Sequence, residues 1–143
     1  MSEENKDVVR RVEEAWNSGD LDALDELFAP EFDNSSTGVP GVPPGLEGAK
    51  TSHQMSMRSF PDRRVEVQDL IAEGDTVVAR CLMTGTNQGG LDWAGVPANG
   101  KQAAMPWVSV YRLRDGKIVE HHAVMDLMLL MQQLGAMPGP AGT

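Results

Sequence analysis

The chain has 143 residues, 41% hydrophobic and 23% charged, with a formal net charge of -9 and one cysteine. That length and balance suit a single soluble globular domain that can bury a core without cross-links. An acidic chain with no clustered Lys or Arg argues against nucleic acid or an anionic membrane as partner, and a lone Cys81 excludes an intrachain disulfide.

Residues 1–143 read as one domain with a flexible tail from about 137. The first residues, Met1 to Asp7, are polar and acidic, unlike a secretory leader, and no apolar run approaches the length of a membrane span. A cytoplasmic protein is the simplest reading. No zinc-type Cys/His spacing occurs. Cys81, inside an apolar run, reads as a small core residue.

In chain order, Val8, Val12, Ala15 and Trp16 recur at helical spacing and predict an amphipathic helix over 4–18. Asn17-Ser18-Gly19-Asp20 ends it, and Asp20 can cap a short second helix over 21–28 that Pro30 stops. Residues 31–34 read as a brief extended segment. Three prolines and three glycines make 35–45 a loop, either a lid over a binding site or a plain surface connection. A third helix over 46–60 carries an apolar stripe of Leu46, Ala49, Met57 and Phe60. His53 falls on that stripe and should point inward, as a core histidine or as a catalytic one. Strands follow over 63–72 and 75–86, then a Gly- and Asn-rich loop over 87–101 that holds Trp93. Leu127 to Leu134 reads as a terminal helix.

Between that loop and that helix lies the strongest local signal, two β-rich runs around Asp115-Gly116. The pair predicts a two-residue type I′ turn, because both residues must take positive φ. Counting outward from Arg114 and Lys117 pairs Leu113 with Ile118, Tyr111 with Glu120, Ser109 with His122, Trp107 with Val124 and Met105 with Asp126. These residues would share one face, bulky and apolar with a few polar tips, as a ligand pocket requires. A bulge would break that parity. The other face would carry Val108, Val110, Arg112, Val119, His121, Ala123 and Met125. Helices grouped ahead of an antiparallel sheet give an α+β fold. The outer sheet face is apolar enough to expect a homodimer through Val108, Val110 and Ala123.

Several stretches together resemble the SnoaL-like polyketide cyclases over roughly residues 5–136. They are Val9-Arg10-Arg11-Val12-Glu13-Glu14-Ala15-Trp16-Asn17-Ser18-Gly19-Asp20, Phe60-Pro61-Asp62, Ile71-Ala72-Glu73-Gly74-Asp75, Gly85-Thr86, Arg112 to His121, and Asp126 to Gly135. The resemblance implies a cone-shaped α+β barrel, shared with nuclear transport factors, ketosteroid isomerases and scytalone dehydratases, in which a curved sheet wraps helices around a deep pocket. It further implies cofactor-free, metal-free intramolecular aldol closure of a polyketide ester, with Asp126 at the position of the family's acid/base aspartate. His122, Asn87 and Asn34 stand where tryptophan, histidine and histidine are common in the family.

Aldol closure needs a base beside a carbonyl and a donor for the resulting alkoxide, and one carboxyl serves both if burial raises its pKa. Asp126, bordered by Met105, Val124, Leu127 and Met128, suits that role, but its place just before a helix suits an N-cap equally. The site expected from sequence therefore has Asp126, His122 and His53 as chemical groups. Trp107, Ser109, Tyr111, Met105, Val124, Asn34 and Trp93 would be its substrate contacts. His122 would lie roughly 13 Å from Asp126, too far for a hydrogen-bonded dyad. A hydrophobic small molecule is the expected partner. Two other classes fit the same scaffold: a non-catalytic binding module, and a cofactor-free isomerase or hydrolase.

Overall fold

The computed structural model describes residues 2–33 and 43–138. Asn34 and most of the Pro/Gly loop, together with the last residues of the tail, lie outside the described residues. The chain is α+β, as its pattern predicts. Helix α1 (Ser2–Ser18) buries Val8, Val9, Val12 and Ala15. The Asn17 amide fastens the end of α1 to the sheet, donating to Val65 O and accepting from Val65 N, both at 2.8 Å. Asp20 caps the next turn through Ala23 N at 3.4 Å. After a 3-10 turn at Leu21–Ala23, helix α2 is only Leu24–Leu27, because Phe28 is already extended. Strand β1 (Phe28–Asp33) thus contains Pro30, which is tolerated because β1 is an edge strand. Helix α3 (Gly45–Ser59) and strands β2 (Arg64–Glu73), β3 (Thr76–Thr86), β4 (Gln102–Arg114) and β5 (Lys117–Met125) follow, then α4 (Leu127–Gln133).

The sheet order is β1-β5-β4-β3-β2. Four strands are antiparallel, but β1 runs parallel to β5, so the sheet is mixed rather than wholly antiparallel. Helix α1 lies against β2 and β3, α3 against β1, and α4 against β4. Among the described residues no helix is long and apolar enough to cross a membrane.

The β4–β5 turn is the predicted one, with φ of 51° at Asp115 and 75° at Gly116. Arg114 pairs with Lys117 and Leu113 with Ile118, as counted from the sequence. Beyond them the register departs from that count. Val119 is an extra residue, so Arg112 pairs with Glu120, Tyr111 with His121, Ser109 with Ala123 and Trp107 with Met125. Ile118 and Val119 are consecutive and both buried, at 0% and 6% exposure, which strict alternation cannot achieve and a bulge can. Every later residue of β5 changes face: His121, Ala123 and Met125 turn inward, while His122 and Val124 turn outward. The expected pairings of Ser109 with His122 and Trp107 with Val124 do not form. Met105 does not pair with Asp126 either; the Asp126 N–H donates to Pro106 O at 3.1 Å. The outer sheet face accordingly carries Val124 (76% exposed) beside Val108, and not Ala123.

Candidate functional site

Between the inner sheet face and the helices lies a cavity of about 540 Å³. Its floor is built from adjoining strands: Met105, Trp107, Ser109 and Tyr111 of β4, with His121 and Ala123 of β5. Helices α1 and α3 close one side with Trp16 and His53, whose rings lie 4.8 Å apart. Phe60 seats the end of α3 against Gly85, where a Cβ would come within 2.9 Å of the Phe60 Cβ. The following corner is held by Asp62, whose carboxylate accepts from Thr86 N at 2.7 Å and Thr86 Oγ1 at 2.8 Å. That corner delivers Arg63 to the cavity wall.

The loop after β3 forms the roof. Gly89 must be glycine, because a Cβ there would lie 1.9 Å from Arg58 O at the end of α3. The fully buried Asn87 organises the rest: its amide donates to Pro97 O and Asn99 Oδ1, and its Oδ1 accepts from Gly90 N. Leu91 and the half-exposed Trp93 hang from this loop over the cavity.

The polar groups inside form a connected set. Tyr111 donates its hydroxyl to Glu13 Oε1 at 2.6 Å, and its ring stacks on His121 at 4.6 Å. His121 Nε2 lies 3.0 Å from Ser109 Oγ. Arg63 reaches His53 Nδ1 at 3.4 Å and lies 5.4 Å from the centre of the Trp107 ring. Because the guanidinium can only donate, His53 Nδ1 is the acceptor, which leaves the ring proton on Nε2. Burial pushes both histidines down to about 4, with Arg63 adding to the effect on His53 and His122 on His121, so both rings are neutral at pH 7. Burial raises the Glu13 carboxyl above its usual 4.5, against the opposing pull of the Tyr111 hydrogen bond and the Arg63 charge.

That shift has a measurable sign. A carboxyl whose folded pKa exceeds its unfolded one holds its proton more tightly in the folded state. The stability it contributes is complete below pH 4.5 and is lost as pH rises through the folded value. Glu13→Gln cannot ionise, so its stability relative to wild type should rise with pH across that window and level off above it. Urea midpoints at pH 4, 6 and 8 read this directly, and a constant difference would refute the buried-carboxyl assignment.

Of the residues expected from sequence, His53, Met105, Trp107, Ser109, Tyr111 and Trp93 line the cavity. His122 does not: it stands on the outer face with its side chain 57% exposed, 3.7 Å from Glu120. Val124 is outside with it, and Asn34 lies outside the described residues. Asp126 is exposed and caps α4 by accepting from Leu129 N at 3.0 Å, although its neighbours Met125 and Leu127 line the cavity. Glu13, Arg63 and His121 were not expected there. Glu13 and Arg63 bring a buried carboxyl and a guanidinium to one cavity. Glu13 was findable, since it falls four residues after Val9 and three before Trp16, on the buried stripe of α1. His121 hinged on the bulge, and Arg63, at a helix-to-strand corner, carries no periodic signal.

Comparison with known proteins gives a consistent result. A sequence model of the SnoaL-like polyketide cyclase family matches residues 6–134. The aklanonic acid methyl ester cyclase DnrD of Streptomyces peucetius is 29% identical over 141 residues, which cover 95% of this chain and 94% of DnrD. Among solved structures, IdmH of Streptomyces antibioticus, a candidate polyketide cyclase, is 36% identical with a TM-score of 0.78, over 92% of this chain and 98% of IdmH. TsrD of Streptomyces laurentii is 28% identical with a TM-score of 0.83, over 96% and 98% of the two chains.

Proposed function

The chain belongs to the SnoaL-like polyketide cyclase family, and from that premise we propose that it closes a ring in a hydrophobic polyketide ester by cofactor-free intramolecular aldol addition. A base removes a proton from carbon beside one carbonyl, the enolate carbon bonds to a second carbonyl carbon, and the alkoxide takes the proton back. One C–C bond forms and no atom is lost. Asp126 is the proposed acid/base, working from the rim, where Met125 and Leu127 on either side of it contact the cavity. Neutral His53 and the Ser109–His121 pair are proposed to hold the carbonyl oxygens.

The observation that carries this reading is the cavity itself: about 540 Å³ of mainly apolar and aromatic wall around a few placed polar groups. The test is incubation of the purified protein with aklanonic acid methyl ester, the compound in the name of its relative DnrD, and with simpler open-chain polyketide esters. Ring closure yields a product of unchanged mass and altered chromatographic retention. Binding without any such product would leave a non-catalytic carrier, the reading that the exposed, helix-capping Asp126 favours. A cytoplasmic setting belongs to the same proposal.

A homodimer through the outer sheet face is also proposed. Its support is the apolar patch of Val108, Val124 and Ile71, exposed by 38%, 76% and 64%. Light scattering should give twice the 15.5 kDa chain mass, and Val108→Asp with Val124→Asp should give monomers. A wild-type monomer at micromolar concentration would end the proposal.

A further inference from the structure

We propose that Arg63 is a carboxylate-binding point in the cavity wall, so that the ligand of this chain carries a free acid group where it meets that wall. The inference deepens the cyclase reading and rests on it only for the premise that the cavity is a substrate site.

A guanidinium remains protonated even where burial pulls its pKa down, as it does here. Such a charge, withdrawn from water, calls for an anion in contact with it. Among the described residues Arg63 has no carboxylate in ion-pair contact. Glu13 acts on it only through space, and the Glu13 Oε1 is taken by the Tyr111 hydroxyl. The protein groups that do meet Arg63 are neutral: the acceptor nitrogen of His53 at 3.4 Å and the face of Trp107 at 5.4 Å.

The surrounding wall has donors to spare. Among the described residues, three buried side-chain polar atoms lack a hydrogen-bond partner, Ser52 Oγ, Arg63 Nε and Trp107 Nε1, and all three belong to residues that line this cavity. Trp107 Nε1 meets nothing better than the neighbouring Cys81 thiol. A planar fork with unused donors matches the two oxygens of a carboxylate, whereas an ester offers no charge and one good acceptor. The neighbours in contact with it supply no counter-ion.

Matched probes test this without knowledge of the natural ligand. Calorimetry at pH 7.5 with 2-naphthoate and methyl 2-naphthoate should show the wild type binding the acid at least about tenfold more tightly, the effect of one charge-assisted contact. Arg63→Met, of similar length and uncharged, should erase the preference, and Arg63→Lys should keep part of it. Equal affinities in the wild type overturn the proposal with no variant needed. So does an acid preference that survives in a folded Arg63→Met protein. The two readings fail separately. Ring closure of a methyl ester with no acid preference sinks the subsite and leaves the cyclase, while an acid preference with no ring closure on any substrate does the reverse.

Discussion

Asp126→Asn should reduce ring closure at least about a hundredfold, the low end of what a positioned acid/base contributes, while leaving the folded protein almost as stable as wild type. The two effects separate because asparagine caps a helix about as well as aspartate. The Asp126 carboxylate receives the Leu129 N–H at 3.0 Å, and an amide or hydroxyl oxygen can receive it as well. Asp126→Ser keeps a capping oxygen and removes the carboxyl, so it should match Asp126→Asn in both respects. Asp126→Ala removes both, and should add a stability loss of about 1 kcal/mol. Steady-state rates per folded molecule, with urea midpoints for all three variants, decide the matter. If the asparagine and serine variants turn over normally and only alanine is impaired, in step with its stability, Asp126 is a cap and nothing more. The base must then be sought inside the cavity, where Glu13 is the buried carboxyl at hand.

Asn87→Ala should destabilise the fold by about 3 kcal/mol, at roughly 1 kcal/mol for each of three lost hydrogen bonds. The side chain is fully buried, and its amide donates to Pro97 O at 3.0 Å and Asn99 Oδ1 at 3.1 Å while its carbonyl accepts from Gly90 N at 2.9 Å. Alanine leaves those groups to find water in a space that offers little of it. The damage should travel further, because Asn99 donates in turn to Leu134 O at 2.9 Å and so couples the roof loop to the end of α4. For a chain of this size the loss corresponds to a midpoint lowered by about 10 °C. Differential scanning calorimetry reads the shift. Tryptophan emission, to which the half-exposed Trp93 on the same loop contributes beside Trp16 and Trp107, should move toward that of free tryptophan before the global transition. An unchanged midpoint would mean that the loop is held by its backbone pairings alone. Asn87→Asp is the sharper control, since a second carboxylate oxygen would face Pro97 O and Asn99 Oδ1 where a donor is required.

Much of the architecture was legible from local chemistry. Val8, Val12 and Ala15 announced a helix that buries those side chains, and Asp115-Gly116 announced a turn whose two residues do take positive φ. Both are short-range statements, and helical period and turn stereochemistry act within a few residues. The misread parts depend on partners distant in the chain. Whether Ile118 and Val119 can both be buried depends on β1 lying alongside β5, a parallel pairing between residues about ninety positions apart. Pro30 suggested an end to structure, when an edge strand can contain it. Helical spacing could put Glu13 on the buried stripe of α1, but the reason for a carboxyl there is a tyrosine 98 residues away. The pairings within the interior polar set were therefore less readable than its members: spacing points His53, Ser109 and Tyr111 at the cavity, but which group meets which depends on other strands and helices.

The added residue in β5 also bears on how such pockets diversify. Removing Val119 would keep Arg112 opposite Glu120 and Tyr111 opposite His121, whereas pairing Val119 into the ladder without a bulge would carry Glu120, His122 and Val124 to the ligand side and send His121, Ala123 and Met125 outward. Loss of the bulge with Val119 retained would thus exchange an inward neutral imidazole stacked on Tyr111 for a carboxylate opposite it. Comparisons of relatives by aligned columns would register no gap for that event and overlook that the lining of an entire strand had been replaced.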